Sequence, residues 1–231
     1  MASKDIPFID MIKDSWPLFQ RQPLLCTGVS AILLYVPFLV VAIPVCIVAF
    51  LSVVAVALIN KDLAKLTVVP VGIIGLLVFA YAYNYVRAGW IYIVLRLLRN
   101  KSASFNELKD GYRWSTNLFI TGLIMGVGTT LLALCFLLPG AFFAVRTALA
   151  PYLVVDEDLG PIEALKKSNE LVSGYSWQIF AFLVILGFCN FVLGSIPFLH
   201  LIALPVSMGF FDLALGRIYQ YRQGEELESF D

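Results

Sequence analysis

Two apolar runs, each longer than a bilayer is thick, constrain this chain more than any other feature. Leu24 to Ile59 is apolar almost throughout, broken only by Pro37 and Pro44, and Leu66 to Leu98 is the second run. Only Lys61-Asp62-Leu63-Ala64-Lys65 separates them in any polar sense. Such runs cannot face water. Across the chain 60% of residues are hydrophobic and 14% charged, where a soluble domain carries about a quarter charged residues. The solvent for most of the chain is therefore lipid, and lipid forces backbone polar groups to pair within the segment, which means helices. The polar stretches between apolar runs are short, and none is long enough to fold as a separate domain. The formal net charge is zero, so nothing points to nucleic acid.

Four further runs follow: Leu118 to Leu138, ended by Pro139-Gly140 as a tight reversal; Ala141 to Val155; Ile179 to Leu193; and Leu201 to Tyr219. A span needs about 20 residues, so the Ala141 run must begin right at the Pro-Gly turn. The first run is ambiguous. As one helix it reaches roughly 54 Å against a hydrocarbon core of about 30 Å; as a hairpin turning between Pro37 and Pro44 it adds a seventh span. With six spans, Lys4, Lys13, Arg21, Arg96, Arg99, Lys101, Lys109, Arg113, Lys166, Lys167, Arg217 and Arg222 share one side and only Lys61 and Lys65 the other. That bias favours one long kinked helix and puts the basic side, with both termini, in the cytoplasm. Met1 to Gln22 is mixed polar with both charge signs and does not read as a signal peptide. The expected fold is all-α: a polytopic membrane helix bundle of six transmembrane helices in three hairpins, forming a single membrane domain over 1–231. Its parts are an N-terminal interfacial segment (1–22), a long first hairpin (24–98), an interfacial helix and second hairpin (102–155), an interfacial helix and third hairpin (160–222), and a polar tail (223–231).

The basic segments resemble one another. Ser15-Trp16, then Gly111-Tyr112-Arg113-Trp114, then Gly174-Tyr175-Ser176-Trp177 each precede a span, and the chain has only four Trp. Ser104 with Glu107 reads as a capping box, Pro161 after Gly160 as a first helical turn, and Gly111 and Gly174 as left-handed residues that end short helices. Ile162, Leu165 and Val172 fall on one face, opposite Glu163, Lys166, Lys167 and Glu170, so this segment reads as a helix lying flat in the membrane interface with its Trp at headgroup level. The repetition is read either as three units of one plan or as the anchoring any helical hairpin needs.

Arg87 and Arg146 lie inside spans, each roughly 15–18 Å from the cytoplasmic end, and Asp212 lies at similar depth in the last. A charge there costs on the order of 2.5–3.5 kcal/mol unless it is paired or wetted. Pairing Asp212 with either arginine leaves the other over. In a polar pocket with Asn84 and Asn190, the surplus arginine could meet an anionic group such as a lipid phosphate; the plainer alternative is a structural ion pair plus a snorkelling arginine.

The remaining chemistry is sparse. His200 is the sole histidine and reads as interfacial. Asp156-Glu157-Asp158 reads as a helix end paired with Lys166 or Lys167 rather than a cation site. Cys26, Cys46, Cys135 and Cys189 lie in apolar runs without CxxC spacing, as small buried hydrophobes. Gly122, Gly126 and Gly128 suit close helix packing. No nucleophile–base constellation, phosphate loop or metal-ligand spacing occurs, so no cofactor or metal is expected, and the pattern argues against an enzyme.

At Leu138-Pro139-Gly140, Arg146, Ala150-Pro151, Val155-Asp156-Glu157, Gly160, Glu163-Ala164-Leu165, Ser168, Leu171 and Trp177, the chain resembles a broad group of prokaryotic membrane proteins. The group includes the membrane domain of glycerophosphoryl diester phosphodiesterases and uncharacterised inner-membrane proteins. The resemblance covers about residues 115–222, and the N-terminal half only in layout. It implies six spans in a prokaryotic cytoplasmic membrane, with Pro139, Gly140, Arg146, Asp156, Gly160 and Ser168 as signature positions more architectural than catalytic. It lends no activity, because the catalytic part of those phosphodiesterases is a separate soluble domain. The expected function is a scaffold, assembly or membrane-homeostasis factor whose partners are membrane lipids and other membrane proteins. The alternatives are a transporter or channel for a small or lipidic anion using Arg87 and Arg146, and a structural subunit of a larger membrane complex.

Overall fold

The computed structural model describes residues 8–59, 61–195 and 200–224, and gives no side-chain description for 8–12, 59, 61–68 and 200. The described residues are helical with no strand: α1 (Phe8–Arg21), α2 (Pro23–Pro37), α3 (Ile43–Ile59), α4 (Lys61–Leu98), α5 (Tyr112–Cys135), α6 (Leu137–Thr147), α7 (Ala150–Asp156), α8 (Pro161–Val172), α9 (Ser176–Gly194) and α10 (His200–Gln223). Six stretches are long and apolar enough to cross a membrane, Pro23–Leu58 being the first.

That first stretch is continuous. Between α2 and α3 the chain takes one wide π-helical turn, Phe38–Ala42, flanked by right-handed helical residues on both sides. The turn lies just before Pro44, which has no N–H to give and whose ring crowds the preceding turn, so the helix widens there instead of breaking. The single-helix reading of Leu24 to Ile59 therefore holds.

The Ala141 run is the one that breaks. Its helix begins earlier, at Leu137, and is interrupted between Thr147 and Ala150, where Pro151 opens α7. The reversal before it is not made by Pro139-Gly140. It falls at Phe136, extended at φ −156° and ψ 137°, while Pro139 and Gly140 lie within the start of α6. Gly140 is there for contact: a Cβ would lie 2.7 Å from the Ala133 side chain and 2.8 Å from its backbone.

Helices α2, α4, α5, α6, α9 and α10 form a closed circuit of neighbours, with α4 also touching α10 across it. At the end where α2, α5 and α9 begin and α4, α7 and α10 finish, short α7 fills the circuit and every residue from Ala150 to Val155 is buried. The core lies at this basic end: Ala88, Trp90, Ile91, Ile93 and Val94 of α4, with Leu213, Ala214, Ile218 and Tyr219 of α10, pack around α7. At the far end large apolar side chains face outward on every span.

Three expectations for the short segments need correcting. Phe105–Gly111 is a 3-10 helix running straight into α5, and Gly111 has φ −57°, not a left-handed value. It is needed because the 3-10 turn lies against α4, where a Cβ on Gly111 would come within 2.4 Å of Gly89 N. Ser104 makes no side-chain cap; Glu107 instead pairs with Arg96 at 3.0 Å. In α8 the buried face is Ala164, Ser168 and Val172, with Ile162 exposed, because α8 packs on α5, α6 and α7. Gly174, at φ +86°, does occupy the left-handed region. The three Trp are not equivalent, since Trp114 is buried while Trp16 and Trp177 are exposed. Of the cysteines, Cys26 is buried but Cys46 and Cys135 lie on the outer surface.

Candidate functional site: two polar layers at one end of the bundle

The charges inside the candidate spans do not share one pocket. Asp212, on α10, is half-buried, and its Oδ2 accepts a hydrogen bond from Trp90 Nε1 at 2.6 Å. Tyr152 Oη, from α7, donates to the Asp212 backbone carbonyl at 2.9 Å. Arg87, one turn from Trp90 on α4, is close enough to feel the Asp212 charge, and its Nη1 reaches Tyr83 Oη at 3.4 Å. A charge-assisted indole–carboxylate bond is among the stronger polar contacts available away from water. Asp212 thus lies between the Arg87 charge and the Trp90 indole N–H, the second giving it a direct hydrogen bond.

Arg146 lies elsewhere. Its Nη1 donates to Asn169 Oδ1 of α8 at 2.8 Å, and its guanidinium stacks over Phe142 at 4.4 Å. Of the two expected alternatives for Asp212, Arg146 is not the one placed beside it, since Arg146 turns toward α8, while Arg87 lies near. Ser168 secures the same junction, donating to the Arg146 carbonyl at 2.8 Å. Asn84 also stays apart from the arginines: its Nδ2 caps its own helix at the Ala80 carbonyl, and its amide faces Gly122 of α5. Asn190 accepts from Ser207 Oγ at 2.7 Å, tying α9 to α10. The side chain of His200 lies outside the described residues.

A second polar layer closes the basic end. Arg99 Nη1 and Nη2 clasp Asp156 Oδ1 and Oδ2 at 2.6 and 2.9 Å, the parallel fork that suits guanidinium to carboxylate. Tyr219 donates to the same Asp156 at 2.9 Å. Glu157 takes Lys167 Nζ at 2.6 Å, as the pairing of that acidic run with the α8 lysines requires, and also Gln223. Arg222 Nε donates to the Leu171 carbonyl at 2.7 Å over the Tyr175 ring. Four elements, α4, α7, α8 and α10, are locked through these contacts. Among the signature positions, Asp156 anchors the lock, Ser168 ties α8 to α6, and Gly160 starts α8 with its carbonyl accepting from Ala164 N. Arg217, expected only as a topology charge, is 1% exposed and lies near the charge of Asp14.

Beside the lock opens a cleft of about 480 Å³. Arg96, Arg99, Lys101 and Arg113 line it, against Asp156 and Asp158, with Tyr92, Leu95, Trp114 and Val155. Tyr92 and Trp114 lie ring to ring at 5.3 Å. In the sequence Arg96 and Arg99 stand out only as markers of sidedness, and Arg113 as that and as part of the Gly111–Trp114 motif. Trp90 was missed altogether, although a Trp one turn from an Arg inside an apolar run, eight residues before the run ends at Leu98, is a signal that could have found it.

No curated protein and no solved structure matches the chain. The recognisable unit is its C-terminal half, residues 107–219, which matches a family model described as Domain of unknown function (DUF7847); the chain's likeness is thus to an uncharacterised family, running from the 3-10 turn to the Tyr219 of the polar lock.

Proposed function

We propose that this protein is a multi-pass membrane protein acting as a non-catalytic scaffold or membrane-homeostasis factor, its basic end in the cytoplasm and its helices crossing as three hairpins. The burial of α7 is the observation that carries this reading: all its residues from Ala150 to Val155 are buried where a water path would have to pass. The charges above it are consistent with a closed bundle, since Asp212 is met by Trp90 and Arg146 by Asn169. A transporter for an anion would instead gather Arg87 and Arg146 along one route, and they sit in separate surroundings. The excess of Lys and Arg at the basic end supports its cytoplasmic placement. The surface at that end, with Trp16 and Trp177 exposed, suits contact with lipid headgroups.

Cysteines placed singly at Asn84, Arg87, Arg146 and Asp212, in a chain whose own four cysteines are replaced, test this in native membranes. A membrane-impermeant thiol reagent should leave all four sites unlabelled until the protein is denatured. Labelling of Arg87→Cys and Arg146→Cys from the same side of an intact membrane would instead establish a water-filled route and remove the scaffold reading.

A further inference from the structure

We infer that the cleft beside the Arg99–Asp156 lock is a binding site for a phosphate group, carried by a membrane lipid or by a small phosphate ester. The inference rests on the membrane placement proposed above and adds a ligand class to it. Its charge balance is the first ground. Arg99 and Asp156 cancel each other in the fork. Arg96 is met by Glu107, which does not itself line the cleft. Arg113 and Asp158 pair only loosely, at 3.4 Å with both side chains more than half exposed. Lys101 is exposed and lines the same cleft, so the site keeps a positive surplus after every ion pair is counted.

Unused donors are the second ground. Arg96 Nε and Trp114 Nε1 are buried and have no hydrogen-bond partner among the described residues, and both residues line the cleft. A buried donor left unpaired costs about 1–3 kcal/mol. An anion oxygen reaching both would relieve that cost, while the weak Arg113–Asp158 pair could open to admit it. Both donors carry N–H groups and neither can accept, which selects an acceptor-only ligand such as phosphate over a cation.

Position and shape give the third ground. The cleft lies where α4 and α7 end and α5 begins, at the limit of three candidate spans. Trp114, Leu95 and Val155 give it an apolar side beneath the charges. At about 480 Å³ it falls within the range of small-molecule sites and is roomy enough for a phosphate with its glycerol.

The test uses the full chain, delipidated in detergent and offered phosphatidylglycerol, phosphatidylcholine or inorganic phosphate, with bound lipid counted by native mass spectrometry and melting followed in parallel. We expect phosphatidylglycerol to be retained about tenfold over phosphatidylcholine, and the Lys101→Gln/Arg113→Gln double variant to lose that preference. Both positions are exposed, so the fold should persist. Millimolar-range inorganic phosphate that raises the melting temperature without any lipid preference would assign the site to a free phosphate ester instead. Arg96→Lys, which keeps the charge but deletes Nε, should weaken binding; unchanged binding would mean diffuse surface attraction and overturn the site. Equal retention of both lipids with no phosphate shift overturns it as well. The thiol-labelling result is independent of these, so loss of the phosphate site leaves the scaffold reading standing, and the reverse.

Discussion

The two halves of α4 live in different surroundings. From Ala88 to Leu98 nearly every residue is buried, and the helix contributes Trp90 to the polar layers, with Arg99 following directly after its end. From Val69 to Val78 the same helix shows large apolar side chains outward, with Ile74 62% and Leu76 66% exposed, and packs mainly on α3. In lipid, outward apolar side chains are already solvated, so only van der Waals fit and polar pairing distinguish one helix arrangement from another. The basic half has both. The far half has chiefly the α3–α4 contact, where Val45 presses on Gly75. Structural specificity in this molecule is therefore concentrated at one end.

This contrast can be broken by substitution. Leu153→Ala, in fully buried α7, should lower unfolding free energy by about 2–5 kcal/mol, whereas Leu76→Ala should change it by less than about 0.5 kcal/mol; unfolding in mixed detergent micelles compares them. Comparable losses would mean that the far half is packed as specifically as the near one. Next, Arg99→Ala should cost about 3 kcal/mol, since it leaves Asp156, only 12% exposed, without its counter-charge. Arg113→Ala, which opens an exposed pair, should cost under about 1 kcal/mol. The same unfolding in mixed micelles separates them, and salt should weaken only the Arg113 pair appreciably.

Glycine positions sharpen the comparison at finer scale. Gly111→Ala puts a methyl against the α4 backbone and should destabilise by about 1–3 kcal/mol. Gly126→Ala, with nothing within 4 Å of its added carbon, should be neutral or slightly stabilising by melting temperature. Ser168→Ala should cost about 1 kcal/mol, for one hydrogen bond to the Arg146 carbonyl. If α8 were only resting on the lipid surface, that change would be silent and α8 would be cleaved by protease as readily in the native protein as in the variant.

Much of the layout was legible from residue order. Hydropathy located six long apolar stretches, and the Lys61–Lys65 segment separated the first two. Continuity across Pro37 and Pro44 was readable because a proline in a membrane helix has a local remedy, here a single wide turn. The sites were far less legible. Asp212 could be paired on paper with Arg87 or Arg146; Arg87 is the arginine near it, and the direct hydrogen bond comes from a Trp that carries no charge to draw attention. Gly111 looked like a helix stop by composition, and its true role is visible only once Gly89 lies opposite.

What the amino-acid sequence determined alone is what depends on a segment's own apolar character: which stretches are long apolar helices, and which ends collect Lys and Arg. Tertiary structure decided the pairings: Trp90 with Asp212, Arg99 with Asp156, Arg146 with Asn169, and the cleft that Arg96, Lys101 and Trp114 share. Arg99 and Asp156 are 57 residues apart and Trp90 and Asp212 are 122 apart. No local rule links residues so distant. The Arg99–Asp156 meeting follows the break after Thr147, beyond which α7 lies buried within the bundle and carries Asp156 at its end.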